Sequence, residues 1–146
     1  MDQTHATCVD IDGAGVLLRG PSGSGKSDLA LRLIDGGARL VADDCARLRR
    51  SGGRLIASAP PEIAGHMEVR GLGIMDFETL DETPLRLVVD LVAPADIERL
   101  PRPATAEVLG VRLPLVQLAP FEASAPAKVR AALKAAGDGR WTKATP

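Results

Sequence analysis

Eight consecutive residues, Gly20-Pro21-Ser22-Gly23-Ser24-Gly25-Lys26-Ser27, fill every position of the pattern G-x-x-x-x-G-K-[ST]. The chemistry of that pattern is phosphate binding. Glycines at 20, 23 and 25 let backbone N–H groups turn inward with no Cβ in the way, and a following helix adds its unpaired N–H groups and positive dipole end. In such a loop Lys26 reaches the β- and γ-phosphates of a nucleoside triphosphate, and the Ser27 hydroxyl is a ligand for Mg²⁺. The expected ligand is therefore a nucleoside triphosphate with its magnesium.

Phosphoryl transfer also needs oxygens to hold the metal and, for an alcohol acceptor, a base. Two places compete to supply them. Asp43-Asp44 closes an apolar run after the phosphate loop. If that run lies beside the strand leading into the loop, both acids emerge near the γ-phosphate, on opposite sides of an extended chain and so in two roles. Asp90, at the end of Leu-Arg-Leu-Val-Val-Asp, resembles a Walker B acid. The pattern alone leaves this choice open. Glu68 and Arg70 share a face in extended chain, a carboxylate for a metal beside a guanidinium for phosphate, though a surface ion pair in a Gly-rich turn is the commoner arrangement.

The elements that must position these residues follow from the apolar patterning. Residues 7–11 alternate, Asp12-Gly13 signals a hairpin, and 14–19 form the strand entering the loop. Residues 26–34 repeat apolar positions at helical spacing and stop at Gly36-Gly37. Strands are expected over 38–44, 45–49, 54–58, 85–91 and 108–118, with Ser51-Gly52-Gly53 as a further hairpin turn. A second helix is expected over 125–136, with Pro126 in its first turn. Residues 94–103 are Pro-rich, charged and expected to be exposed. Strands outnumber helices, unlike strict βαβ alternation.

Length and composition fit one domain over 1–136 followed by a loose tail, 137–146, in which Trp141 either docks or is exposed. The 146 residues are 45% hydrophobic and 25% charged, as in an ordinary globular chain. A net charge of −1 and only two Phe and one Trp argue against nucleic-acid binding. No basic leader, long apolar span or cysteine framework is evident, so Cys8 and Cys45 are expected as free thiols in a cytoplasmic protein without membrane contact.

The run GPSGSGKSDLALRLIDGGARLVADD (20–44), followed by MEVRGLGIMDF (67–77), closely resembles the HPr kinase/phosphorylase family, in its catalytic C-terminal domain. The resemblance implies an α/β P-loop kinase domain, a mixed sheet with few helices, that uses ATP and Mg²⁺ to phosphorylate a serine of HPr, the phosphocarrier of the sugar phosphotransferase system. Many members also reverse the reaction by phosphorolysis. Carried over by position, Gly20 to Ser27 bind nucleotide, Asp44 is the base, Asp43 and Glu68 support Mg²⁺ with Ser27, and Glu68, Val69, Arg70, Gly71, Leu72, Gly73 and Ile74 form the signature. His5 matches a histidine upstream of the loop strand, and Arg99, in a segment over 96–100 resembling a helix, matches an arginine that assists transfer. Asp90 is then structural.

The chain departs from the family in two places: no separate N-terminal domain precedes the loop, and 119–124 lacks the basic residues of a loop tied to phosphate handling. A homo-oligomer, a hexamer by resemblance, is the expected assembly. The alternatives are a small-molecule kinase with Asp90 as its Walker B acid and a nucleotide-sensing module without turnover.

Overall fold

The computed structural model describes residues 2–138. In chain order the strands are β1 (Asp2–Thr4), β2 (Ala6–Ile11), β3 (Ala14–Arg19), β4 (Arg39–Ala42), β5 (Ala46–Ser51), β6 (Arg54–Ser58), β7 (His66–Val69), β8 (Gly73–Asp76), β9 (Glu82–Leu91), β10 (Ala104–Val108) and β11 (Val111–Leu118). Helix α1 (Lys26–Asp35) follows β3, and α2 (Ala125–Gly137) follows β11. Among the described residues no helix is long and apolar enough to cross a membrane. Of the expected 137–146 tail, Gly137 ends α2, and the residues beyond 138, Trp141 among them, lie outside the described residues.

Nine strands form one mixed sheet around β9. β3 runs parallel along one edge of β9, while the other edge is shared in succession by β6, antiparallel at Glu82–Pro84, and β11, parallel from Val88 to Leu91. The sheet therefore forks at β9, one arm continuing β6–β5–β1 and the other β11–β10. Both faces of β9 are covered: Leu87, Val89 and Leu91 join the cluster under the helices, and Leu85 and Val88 join a second cluster on the opposite face. Its nearly unbroken apolar sequence reflects that two-sided burial.

Local signals explain the elements next to the phosphate loop. The β2–β3 turn has Asp12 at φ 52° and Gly13 at φ 91°, the two positive values that a tight two-residue hairpin demands. Asp10 secures this corner, accepting from Gly13 N–H at 3.0 Å and from Thr83 Oγ1 at 2.6 Å. On α1, Lys26, Leu29, Ala30 and Leu33 are buried, one face at i, i+3, i+4, i+7. The helix ends in a Schellman arrangement: Ala38 N–H bonds Leu33 O at 3.0 Å and Gly37 N–H bonds Ile34 O at 2.9 Å.

The structure departs from the sequence reading at three points. β4 pairs with β2 rather than with β3, so one strand separates the acidic turn from the loop strand. Residues 108–118 are not one strand but the end of the β10–β11 hairpin, turning at Leu109-Gly110 with φ 48° and 77°. The 96–100 segment is not helical: a short 3-10 turn, Pro94–Asp96, stands there, and Arg99 beyond it is exposed.

Candidate active site

β3 delivers the chain into the phosphate loop, and α1 begins directly after it. Gly25 caps α1 in the left-handed region, φ 101°, without a side-chain hydrogen bond, so no side chain competes for the first-turn amides. A Cβ on Gly25 would lie 2.9 Å from Phe121 Cζ and 3.0 Å from Pro120, so the position demands glycine twice over. Ser24 Oγ is buried against Gly20 without a hydrogen-bond partner among the described residues, and Ser24 does not line the cavity described below. Lys26 is buried, and its Nζ donates to Gly20 O at 2.7 Å and Pro21 O at 3.2 Å.

The acids of the 43–44 turn reach the loop despite the intervening strand. Ser27 Oγ donates to Asp43 Oδ1 at 2.7 Å, and the buried Thr7 on β2 donates to the same oxygen at 3.1 Å. Asp44 adopts φ 62°, and its N–H donates to Thr7 Oγ1 at 3.0 Å. Asp43 and Asp44 thus separate by a turn conformation rather than by strand alternation. The Asp44 carboxylate, half-exposed, lies 3.6 Å from Lys26 Nζ and 3.4 Å from His5 Nε2. His5 also stands 3.4 Å from Lys26 Nζ and 3.5 Å from Ser22 Oγ.

A cavity of about 420 Å³ opens over these groups, its lining including Ser22, Lys26, Ser27, Asp43 and Asp44. The β7–β8 hairpin, a separate two-stranded sheet, adds Glu68, Val69 and Arg70 to the wall. Glu68 comes from β7 and Arg70 from the turn after it. Of the other signature residues, Leu72 and Ile74 are exposed, and Gly71 in the turn and Gly73 at the start of β8 take φ 92° and 100°.

Among the described residues no three of His, Cys, Asp and Glu converge on a metal position. Mg²⁺ needs no such cage, since it is commonly held by one or two carboxylates plus substrate phosphates. The glycine cradle at Gly23 and Gly25 and the Ser27–Asp43 oxygen pair, all lining the cavity, fit a nucleotide with its magnesium.

Two candidates stand elsewhere. Arg99 does not line the cavity. Asp90 is engaged in a bidentate pair across β3 and β9, with Arg19 Nε at 2.7 Å from Oδ1 and Nη2 at 3.1 Å from Oδ2. Three residues at or beside the site, Thr7, Arg32 and Phe121, were given no site role in the sequence reading. Thr7 carries one faint signal, a hydroxyl in a strand whose neighbours Ala6 and Cys8 are also fully buried. Phe121 and Arg32 carry none. Arg32 bonds the carbonyls of Pro120 and of Glu122, the latter at 3.0 Å, and so ties the loop after β11 to α1.

Fold and site together define an α/β phosphate-loop domain whose acidic turn stands beside the loop lysine. A family model, the HPr Serine kinase C-terminal domain, matches residues 1–132, and the chain belongs to that family. It is similar to the HPr kinase/phosphorylase of Prosthecochloris aestuarii, 41% identical over 128 residues, which cover 80% of this chain and 38% of the relative. The HPr kinase/phosphorylase of Chlorobium limicola is 42% identical over 132 residues, 82% of this chain and 40% of the relative. The chain thus spans about two fifths of the length of these curated relatives. The solved structure of the Hpr(Ser) kinase/phosphatase from Coxiella burnetii superimposes with a TM-score of 0.82 at 29% identity, covering 98% of this chain and 99% of that one.

Proposed function

We propose that this domain transfers the γ-phosphoryl group of ATP to a serine hydroxyl of the phosphocarrier HPr. The observation that carries this reading is Asp44, an exposed carboxylate within 3.6 Å of the buried loop lysine and opening into the same cavity. Family membership supplies the acceptor, since the relatives named above are HPr kinases.

The residues divide the work. Backbone N–H groups of 22–27 and Lys26 Nζ neutralise charge on the transferring phosphoryl group, the largest contribution available to such a site. Phosphate oxygens compete for Nζ with the carbonyls of Gly20 and Pro21. Asp44 accepts the serine proton as the new O–P bond forms and the β–γ bridge of ATP breaks, leaving ADP. His5 and Lys26 orient that carboxylate. Ser27, Asp43 and Glu68 would hold Mg²⁺, which when bound offsets phosphate charge and fixes the donor's orientation. Arg70 is placed to meet an anionic group at the cavity wall.

The reading extends to a cytoplasmic, homo-oligomeric enzyme, checked by light scattering of the purified chain. Its central test is intact-mass spectrometry of HPr incubated with the protein and Mg-ATP. One added phosphoryl group, mapped to a serine and absent with Asp44→Asn, is the expected result. An unshifted mass alongside intact ATP binding would reject HPr as acceptor. Inorganic phosphate added to the product tests the reverse reaction, for which the 119–124 loop offers no basic side chain.

A further inference from the structure

The loop after β11 carries Phe121, the one aromatic residue lining the cavity among the described residues, and it is 68% exposed. An exposed apolar residue alone means little. The position of this ring means more. β3, β9 and β11 run parallel, so the phosphate loop and the 119–124 loop leave the sheet at the same, carboxyl edge, where open α/β sheets bind their ligands. Phe121 lies against Gly25, at the start of α1, and Leu31 lines the same cavity one turn beyond Asp28.

The ring is held in place. Arg32 bonds the carbonyls on both sides of it, Pro120 O and Glu122 O, while Arg32 is itself fixed by Asp28 at 2.9 Å. The Glu122 carboxylate meets Lys128 of α2 at 3.3 Å, and Ala125 N–H bonds Glu122 O at 3.0 Å. A loop tied to both helices thus holds Phe121, largely exposed, at the cavity wall beside the phosphate cradle.

Resting on the nucleotide reading above, we propose that Phe121 is the platform on which the nucleotide base stacks. A triphosphate seated on the loop amides has its α-phosphate at the first turn of α1. The nucleoside leaves the loop from there, along the side that Phe121 and Leu31 line. Every base has a π-face, so a single ring suffices and no hydrogen-bonding frame is required.

The test is calorimetric titration of the full chain with Mg-ATP and with Mg-tripolyphosphate, which offers the phosphates without a base. Phe121→Ala is expected to weaken ATP by roughly 5- to 100-fold while tripolyphosphate affinity is unchanged, and Phe121→Tyr to keep both. The unchanged tripolyphosphate affinity also reports an intact loop in the variant. Equal loss of both ligands, no loss of either, or loss of ATP by the tyrosine variant as well would overturn the platform. A wild-type chain that phosphorylates HPr but binds ATP no better than tripolyphosphate would overturn it too, leaving the kinase reading in place. A wild-type chain that binds neither ligand would remove the nucleotide reading itself, and the platform with it.

Discussion

The Thr7 hydroxyl accepts the backbone N–H of Asp44 at 3.0 Å and donates its own proton to Asp43 at 3.1 Å, so one buried atom sets the geometry of both acids. Replacing it with an isosteric methyl leaves a carboxylate oxygen and an N–H without that partner. Thr7→Val should therefore lower unfolding free energy by about 1–3 kcal/mol in urea titrations. Turnover should fall with it, and Thr7→Ser should restore much of both.

Asp44 lines the cavity, where its carboxylate meets the side chains of Lys26 and His5. Asp44→Asn should keep ATP affinity and reduce transfer by about 10²–10⁴-fold, the ordinary contribution of a general base. Lys26→Ala should lose affinity and turnover together. Single-turnover kinetics with HPr, paired with ATP titration, separates the two. An asparagine variant of full activity would remove Asp44 from the base role.

Asp90 on β9 and Arg19 at the end of the loop strand form a partly exposed bidentate pair. Asp90→Asn should cost about 1 kcal/mol of stability, a charge-assisted pair discounted for solvent screening. Turnover at saturating Mg²⁺ should not change. A large loss of turnover, with magnesium affinity reduced, would return Asp90 to the metal-holding role.

Gly25 combines a left-handed backbone with close packing against Phe121 and Pro120. Gly25→Ala should destabilise the fold by at least about 1–2 kcal/mol from the backbone alone. It should also push the 119–124 loop away from the helix, read as faster proteolysis within that loop.

Cys8 is fully buried, and loss of hydration, reinforced by the nearby charge of Asp10, pushes its thiol far above the ordinary value of 9.0. The folded chain keeps that proton where the unfolded chain releases it. Stability should thus be whole below pH 9.0 and decline as pH rises beyond it. Cys8→Ala should flatten that alkaline decline in urea titrations. In the native state Cys45, partly exposed, should react with thiol reagents while Cys8 does not.

What was legible in the sequence was what neighbouring residues decide. The phosphate loop, the Asp12-Gly13 corner and the Gly36-Gly37 stop each state their geometry within a few residues, and each stands where expected. The turn at Leu109-Gly110 went unseen because leucine rarely takes a positive φ, so β10 was missed while β11 fell within the expected 108–118 strand. The insertion of β2 between β3 and β4 is a matter of topology, on which local patterning is silent. The site divides the same way. Asp43, Asp44 and Lys26 belong to short runs with a recognisable order. Thr7 meets Asp43 across 36 positions and Arg32 meets Pro120 across 88, and nothing local marks either pairing.

The central place of β9 has a consequence for how the chain acquires its site. The phosphate loop lies within the first thirty residues, yet the strand that launches it is laddered in parallel to residues 85–90. During synthesis the loop therefore emerges long before its scaffold exists, and closure waits on partners separated by some seventy positions. Pairings of such sequence separation carry a large loop-closure entropy and slow the rate-limiting step. Capacity to bind nucleotide should thus arrive late and all at once, with the docking of β9, rather than grow as the chain lengthens.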